Sequence, residues 1–326
     1  MRTTGYAALL CWFISSAVSL YTKKGSFIGS DFLTAFEWDT FDDPTHGRVN
    51  YVDQQTALSK NLTIASEGKF IMRADYTDIV ISGSRGRDSI RIHSKNAYDD
   101  AIFILDLSHM PEGCATWPAF WTLSQLGPWP NGGEIDIIEG VNLQNHNLAS
   151  MHTTPNCTMS NPSTMQSTDC NAAVNNNQGC GVSFSDSYAL GTDSSYGSGF
   201  NLLGGGWYAM QKDPEAGINV WFWPRNDISV PVDVRDSTVP FVGPTTWGSP
   251  QARFQTGQYC DYETHFDAHE IVFDLTFCGD WAGSVFPSSG CSPMSCADFV
   301  DQNPSAFTNA YWEINSLIIY TKDTSS

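Results

Sequence analysis

Apolar side chains recur at every second position in several separate stretches of this 326-residue chain. A period of two belongs to strands, because successive side chains of a strand point to opposite faces. In GINVWFWPR, Ile218, Val220 and Phe222 share one face, and Asn219, Trp221 and Trp223 the other. HEIVFDLTFCG places Ile271, Phe273, Leu275 and Phe277 together, and SIRIHSK sets Ile90 and Ile92 between Ser, Arg and His. AIFILDLSH is apolar on both parities, as a central strand is, and the closing EINSLIIY is another strand. Long helical periodicity is absent. The best short helix runs over 295–300, opened by a capping Ser295 and ended before Pro304. The pattern predicts an all-β sandwich.

Between the strands lie long stretches rich in Gly, Asn, Ser and Pro, the largest over about 155–206. Loops of that length in a compact domain are usually functional, and disulfides are expected to stiffen them. The N-terminus has Arg2, an apolar run over 6–14 and the small residues Ala17-Val18-Ser19, the layout of a secretory signal peptide. Residues 1–19 are therefore set aside, and 20–326 are expected to form one domain. Of nine cysteines, Cys11 falls in that leader, and the eight left suit a disulfide framework. Cys291 and Cys296 are close enough to pair locally. Asn61-Leu62-Thr63 and Asn156-Cys157-Thr158 are glycosylation sequons, whereas Pro162 disqualifies Asn161. The C-terminal TKDTSS lacks a lipid-anchor signal and no later apolar run spans a bilayer, so a secreted, soluble product is expected.

Net charge is −19 with only 16 Lys plus Arg, which repels nucleic acid and disfavours anionic membranes. A neutral ligand fits better. No metal or cofactor is implied: the cysteines form no CxxC pair and the acids show no calcium spacing.

The stretch GGEIDIIEG carries Glu134, Asp136 and Glu139. In a regular strand Glu139 points away from the other two. A β-bulge between Asp136 and Glu139 restores it to their face, and two carboxyls about 5–5.5 Å apart are what retaining glycosidases use. Taken alone, the six residues also fit ordinary acids at a strand edge. Upstream stand Trp117, Trp121 and Trp129, whose flat rings suit the C–H faces of sugars. Trp117, beside Pro118, suits the core better, and Trp129, in a Pro-Gly-Asn loop, is harder to bury.

GCATWPAFW, WPNGGEIDIIEGVN, GGGWYAM, VWFWPR and CDYETHFDAHEIVFDLTFCGDWAGS together resemble glycoside hydrolase family 16. The likeness is strongest to its secreted endo-β-1,3(4)-glucanases of the laminarinase type, and it covers about 31–320. The resemblance implies a concanavalin-like jelly-roll β-sandwich with a sugar cleft across its concave face. It implies Glu134 as nucleophile, Glu139 as acid/base and Asp136 as their assistant. It further implies substrate contacts from Trp121, Trp129, His152, Trp247 and Arg91, although Arg87 competes for the arginine position and a lone His between apolar neighbours is often structural. Ala115 and Phe286 stand where relatives often have Gly and Trp.

The expected protein is an endo-acting, retaining hydrolase of β-1,3-glucan and mixed 1,3-1,4 glucan, acting as a monomer. A transglycosylase of the same fold shares the acid motif. A non-catalytic glucan-binding lectin would be expected to have lost one of the three acids.

Overall fold

Strands with two apolar faces need cover on both sides, and the chain supplies it by stacking two antiparallel sheets. The computed structural model describes residues 20–160, 165–184 and 195–322; the leader, its cleavage site, Pro162 and the last four residues lie outside them. One sheet runs Cys180–Ser183, Leu148–His152, Glu134–Glu139, Thr116–Ser124, His269–Phe277, Arg91–Ser94, Phe36–Trp38. The other is centred on Tyr311–Lys322, which pairs with Tyr21–Phe27, Phe70–Arg73 and Ala101–His109. It continues through Gly206–Asp213 and Gly217–Pro224 to Ala252–Phe254. This is the expected jelly-roll sandwich.

The alternation read from the sequence assigns the layers. Ile218, Val220 and Phe222 enter the core between the sheets with Ile271, Phe273 and Ile92. Phe120 and Phe273, on adjacent strands, stack at 4.5 Å. Trp221 and Trp223, on the opposite parity, join a second buried cluster on the outer face of the larger sheet. Leu275 and Phe277 belong to a third, packed beneath the helix Cys296–Gln302. That helix is capped by Ser295, whose Oγ accepts from the Asp298 N–H at 3.1 Å, and it runs two residues past the expected end.

Four disulfides tie the loops: Cys114–Cys291, Cys157–Cys260, Cys170–Cys180 and Cys278–Cys296. The local pairing of Cys291 with Cys296 is not formed, because each meets a partner brought close by the sheets. Ala115 adopts a φ of +70°, a conformation in which a Gly is less strained. No helix among the described residues is long and apolar enough to cross a membrane.

Candidate active site

The strand Glu134–Glu139 begins at a turn that only glycine permits. Gly132 and Gly133 have φ of +72° and +81°, and a Cβ on either would lie within 2.6 Å of a neighbour. Buried His269 anchors the turn, its Nε2 donating to the Gly132 carbonyl at 2.7 Å while Nδ1 accepts from Thr122. Burial pushes its imidazole down to about 3, which keeps it neutral in that role. Beyond the turn, Ile135 points to the core and the acids on either side point out.

Register then slips. Asp136 pairs with Trp121 and Ile138 with Phe120, leaving Ile137 as the extra residue. The expected bulge is present. Ile137 and Ile138 both pack into the core, so Glu139 re-emerges on the outer face with Glu134 and Asp136. All three line a cleft of roughly 500 Å³.

Each acid has its own partner. The Trp129 indole N–H donates to Glu134 Oε2 at 2.6 Å, and the Trp117 N–H donates to Glu139 Oε1 at 2.9 Å. His152 Nε2 lies 3.4 Å from Asp136 Oδ2 and 4.0 Å from Glu134 Oε1. Its Nδ1 donates to Asn177 Oδ1 at 2.8 Å. Burial opposes charge on His152, but the Asp136 contact and the charges of Glu134 and Glu139 outweigh it and raise the imidazole to about 10. Burial, reinforced by Asp136, lifts Glu134 to about 7 against the pull of His152, the Trp129 N–H and Arg91. Burial and Asp136 also hold Glu139 well above the usual carboxylate range, opposed by the Trp117 N–H and His152. Ligand atoms of Glu134, Asp136 and His152 fall within 4.8 Å of one another.

Of the other expected residues, Trp121 and Arg91 line the cleft. The Trp121 N–H donates to Asp274 Oδ2 at 2.9 Å, and the Arg91 guanidinium sits 5.0 Å above the Trp121 ring. Arg91 also pairs with Asp39 and approaches Asp274 to 3.7 Å. Arg87, the competing arginine, is buried elsewhere and donates to the Val300 carbonyl. Trp129 is 44 % exposed beside Glu134. Trp247 departs from the expectation. It is 4 % exposed, wedged edge-on against Trp221 and Trp223 on the outer face of the other sheet, and its N–H is held by Asp233. Its loop folds it over apolar surface that would otherwise face water. Trp117 departs in the opposite sense: it lines the cleft, with Trp281 edge-on at 5.7 Å.

Sequence reasoning passed over Asp274, Asn177 and Trp281, which line the same cleft. Burial lifts Asp274 to about 7 against the charge of Arg91 and the Trp121 N–H. Its signal was present: it is an acid in mid-strand, opposite in parity to Phe273 and Leu275. Asn177 gave none, since it is the last of three asparagines, 175–177, held in the left-handed conformation by the loop.

Comparison with known proteins identifies the family. A model of the XgeA-like catalytic domain of glycoside hydrolase family 16 matches residues 36–320. A probable endo-1,3(4)-beta-glucanase of Aspergillus niger is 40% identical over 98% of this chain, which spans 42% of that protein's length. Laminarinase 16A of Phanerochaete chrysosporium, solved with 6-O-glucosyl-laminaritriose in both donor and acceptor sites, is 47% identical. It superposes with a TM-score of 0.86 over 93% of this chain and 100% of its own. An elongating family 16 β-1,3-glucosyltransferase is 40% identical, with a TM-score of 0.81 over 92% of this chain and 100% of its own. Matched by that family model over residues 36–320 and at least 40% identical to these relatives over nearly its whole length, the chain belongs to glycoside hydrolase family 16.

Proposed function

We propose that the protein is a secreted endo-β-glucanase that cleaves β-1,3 and mixed 1,3-1,4 glucans with retention of configuration. Residues 1–19 are its export leader, and the rest is one catalytic domain acting as a monomer. The observation that carries the reading is the pair of cleft-facing glutamates with unlike surroundings, on either side of one bulge. Glu134 has the His152 cation 4.0 Å away and an indole N–H on its other oxygen, both favouring the ionised form. Glu139 meets only the Trp117 N–H and no cation at ion-pair distance among the described residues, so it keeps its proton to higher pH.

That asymmetry supports the division of roles. Glu139 protonates the departing glycosidic oxygen while the Glu134 carboxylate attacks the anomeric carbon, giving a glycosyl-enzyme. Glu139, now a base, takes a proton from water, which attacks the same carbon and frees the product. Asp136, tied to His152, tunes Glu134. Trp121, Trp129 and Arg91 supply stacking and polar contacts for the sugar. No cofactor takes part. Azide rescue tests the roles. In Glu134→Ala, azide fills the hole and one displacement yields the α-glycosyl azide. In Glu139→Ala, azide intercepts the glycosyl-enzyme of an activated substrate and yields the β-azide. Reversed anomers, read by proton NMR, would reverse the assignment, and unimpaired variants would remove the acids from the site.

Transfer to a second sugar is the other reading, favoured by the likeness to the elongating glucosyltransferase. Hydrolysis only shortens laminarin chains. Products longer than the substrate would establish transfer.

A further inference from the structure

The strand Glu134–Glu139 has two neighbours over its first half and one over its second. Glu134, Ile135 and Asp136 pair with His152, Met151 and Ser150, and that ladder then stops. Pairing on the other side continues to Glu139 opposite Ala119. The Ile137 carbonyl and the Glu139 N–H therefore face a place where a strand is missing. A buried backbone group left unpaired there would cost about 1–3 kcal/mol.

Asn147, with no exposed surface, fills the gap. Its Nδ2 donates to the Ile137 carbonyl at 2.8 Å and its Oδ1 accepts from the Glu139 N–H at 3.0 Å. A primary amide carries donor and acceptor side by side, as a peptide group does, so this side chain replaces one residue of the absent strand. Its orientation is unambiguous, because the carbonyl must receive and the N–H must donate. Asn147 is itself held from behind. Its N–H donates to Ser195 Oγ at 3.0 Å, and its carbonyl accepts from the Phe184 N–H at 2.9 Å.

We infer that Asn147 is a positioning residue for Glu139: it clamps the bulge so that the carboxyl is aimed at the glycosidic oxygen. The inference rests on the acid/base reading of Glu139 given above. The carboxyl accepts from the Trp117 N–H at its tip, and its aim depends on a backbone clamped by Ala119 on one flank and Asn147 on the other. Aspartate can accept from the Glu139 N–H but, ionised, cannot donate to Ile137. Alanine does neither.

The test compares Asn147→Ala, Asn147→Asp and Glu139→Gln on laminarin and on 2,4-dinitrophenyl β-laminaribioside. The dinitrophenolate leaves without a proton, so its departure does not need the acid, whereas a sugar alkoxide does. Misaiming the acid should lower kcat/KM on laminarin about 100-fold in Asn147→Ala and less in Asn147→Asp. On the aryl substrate kcat/KM should stay within about threefold of wild type. There kcat and KM should fall together, because water activation by the same misaimed group becomes limiting and the glycosyl-enzyme accumulates. General damage to the fold lowers kcat/KM on both substrates alike. If every folded Asn147 variant shows that uniform loss, or none, the positioning role is wrong while Glu139→Gln still discriminates the two substrates. If Glu139→Gln itself fails to discriminate, the acid reading falls and the positioning role with it. Asn147→Asp keeps one of the two bonds, so it carries the test should Asn147→Ala not fold.

Discussion

Trp129 and Trp247 both sit in loops, and their surroundings give them opposite consequences when lost. Trp247 packs against two other indoles and has its N–H satisfied by Asp233. Trp247→Ala should therefore lower stability by about 3–5 kcal/mol and leave KM for laminarin unchanged, as thermal melts and kinetics would show. Trp129→Ala removes an exposed ring and the N–H on Glu134. Stability should change by less than about 0.5 kcal/mol, while binding of laminari-oligosaccharides weakens by about 1 kcal/mol or more. His152 acts through charge. Its cation favours the ionised forms of both glutamates, and the mechanism proposed above requires Glu134 ionised and Glu139 protonated. His152→Gln should thus move both limbs of the pH profile of kcat/KM upward. On the acid limb each unit of that movement is about a tenfold loss of rate. An unmoved or downward-shifted profile would refute the ion-pair account.

The bulge makes its own prediction at the level of the strand. Deleting Ile137 turns Glu-Ile-Asp-Ile-Ile-Glu into plain alternation, in which Glu139 still stands opposite Ala119 and still faces the cleft. What disappears is one buried isoleucine and the local tilt. Stability should fall by about 2–5 kcal/mol, and a folded protein should keep weak but measurable laminarin hydrolysis. Total loss of activity in a folded deletion variant would mean that the tilt alone makes the site. The need for a bulge was readable because three acids at positions 1, 3 and 6 cannot share a face otherwise. The alternation of 218–223 and 271–277 was readable because each face of those strands meets a different layer. Asn147 was not readable: it lies in a loop eight residues beyond Glu139, and its task exists only because the neighbouring strand ends early. The disulfides were hidden for a related reason. Cys114 and Cys291 are 177 residues apart in sequence, and they meet only because Thr116–Ser124 pairs with His269–Phe277 in the folded sheet. Trp247 misled because a loop tryptophan can fold inward as readily as it can stack on sugar.

At the scale of the molecule, the cleft and the two ends of the described chain belong to different sheets. The acids sit on the seven-stranded sheet, whereas Tyr21–Phe27 and Tyr311–Lys322 lie side by side in the other. Tyr21 pairs directly with Lys322, at the spacing of about 5 Å that antiparallel partners have. The first and last described strands are therefore hydrogen-bonded neighbours. Joining 322 to 21 through a few Gly and Ser residues, and opening new ends at the exposed turn around Gly83, where a Cβ would meet nothing within 4 Å, should yield a circular permutant. It should melt cooperatively and release reducing sugar from laminarin at a rate close to that of the parent chain. A permutant that folds but is inactive would show that the order of the chain matters to the cleft as well as its shape.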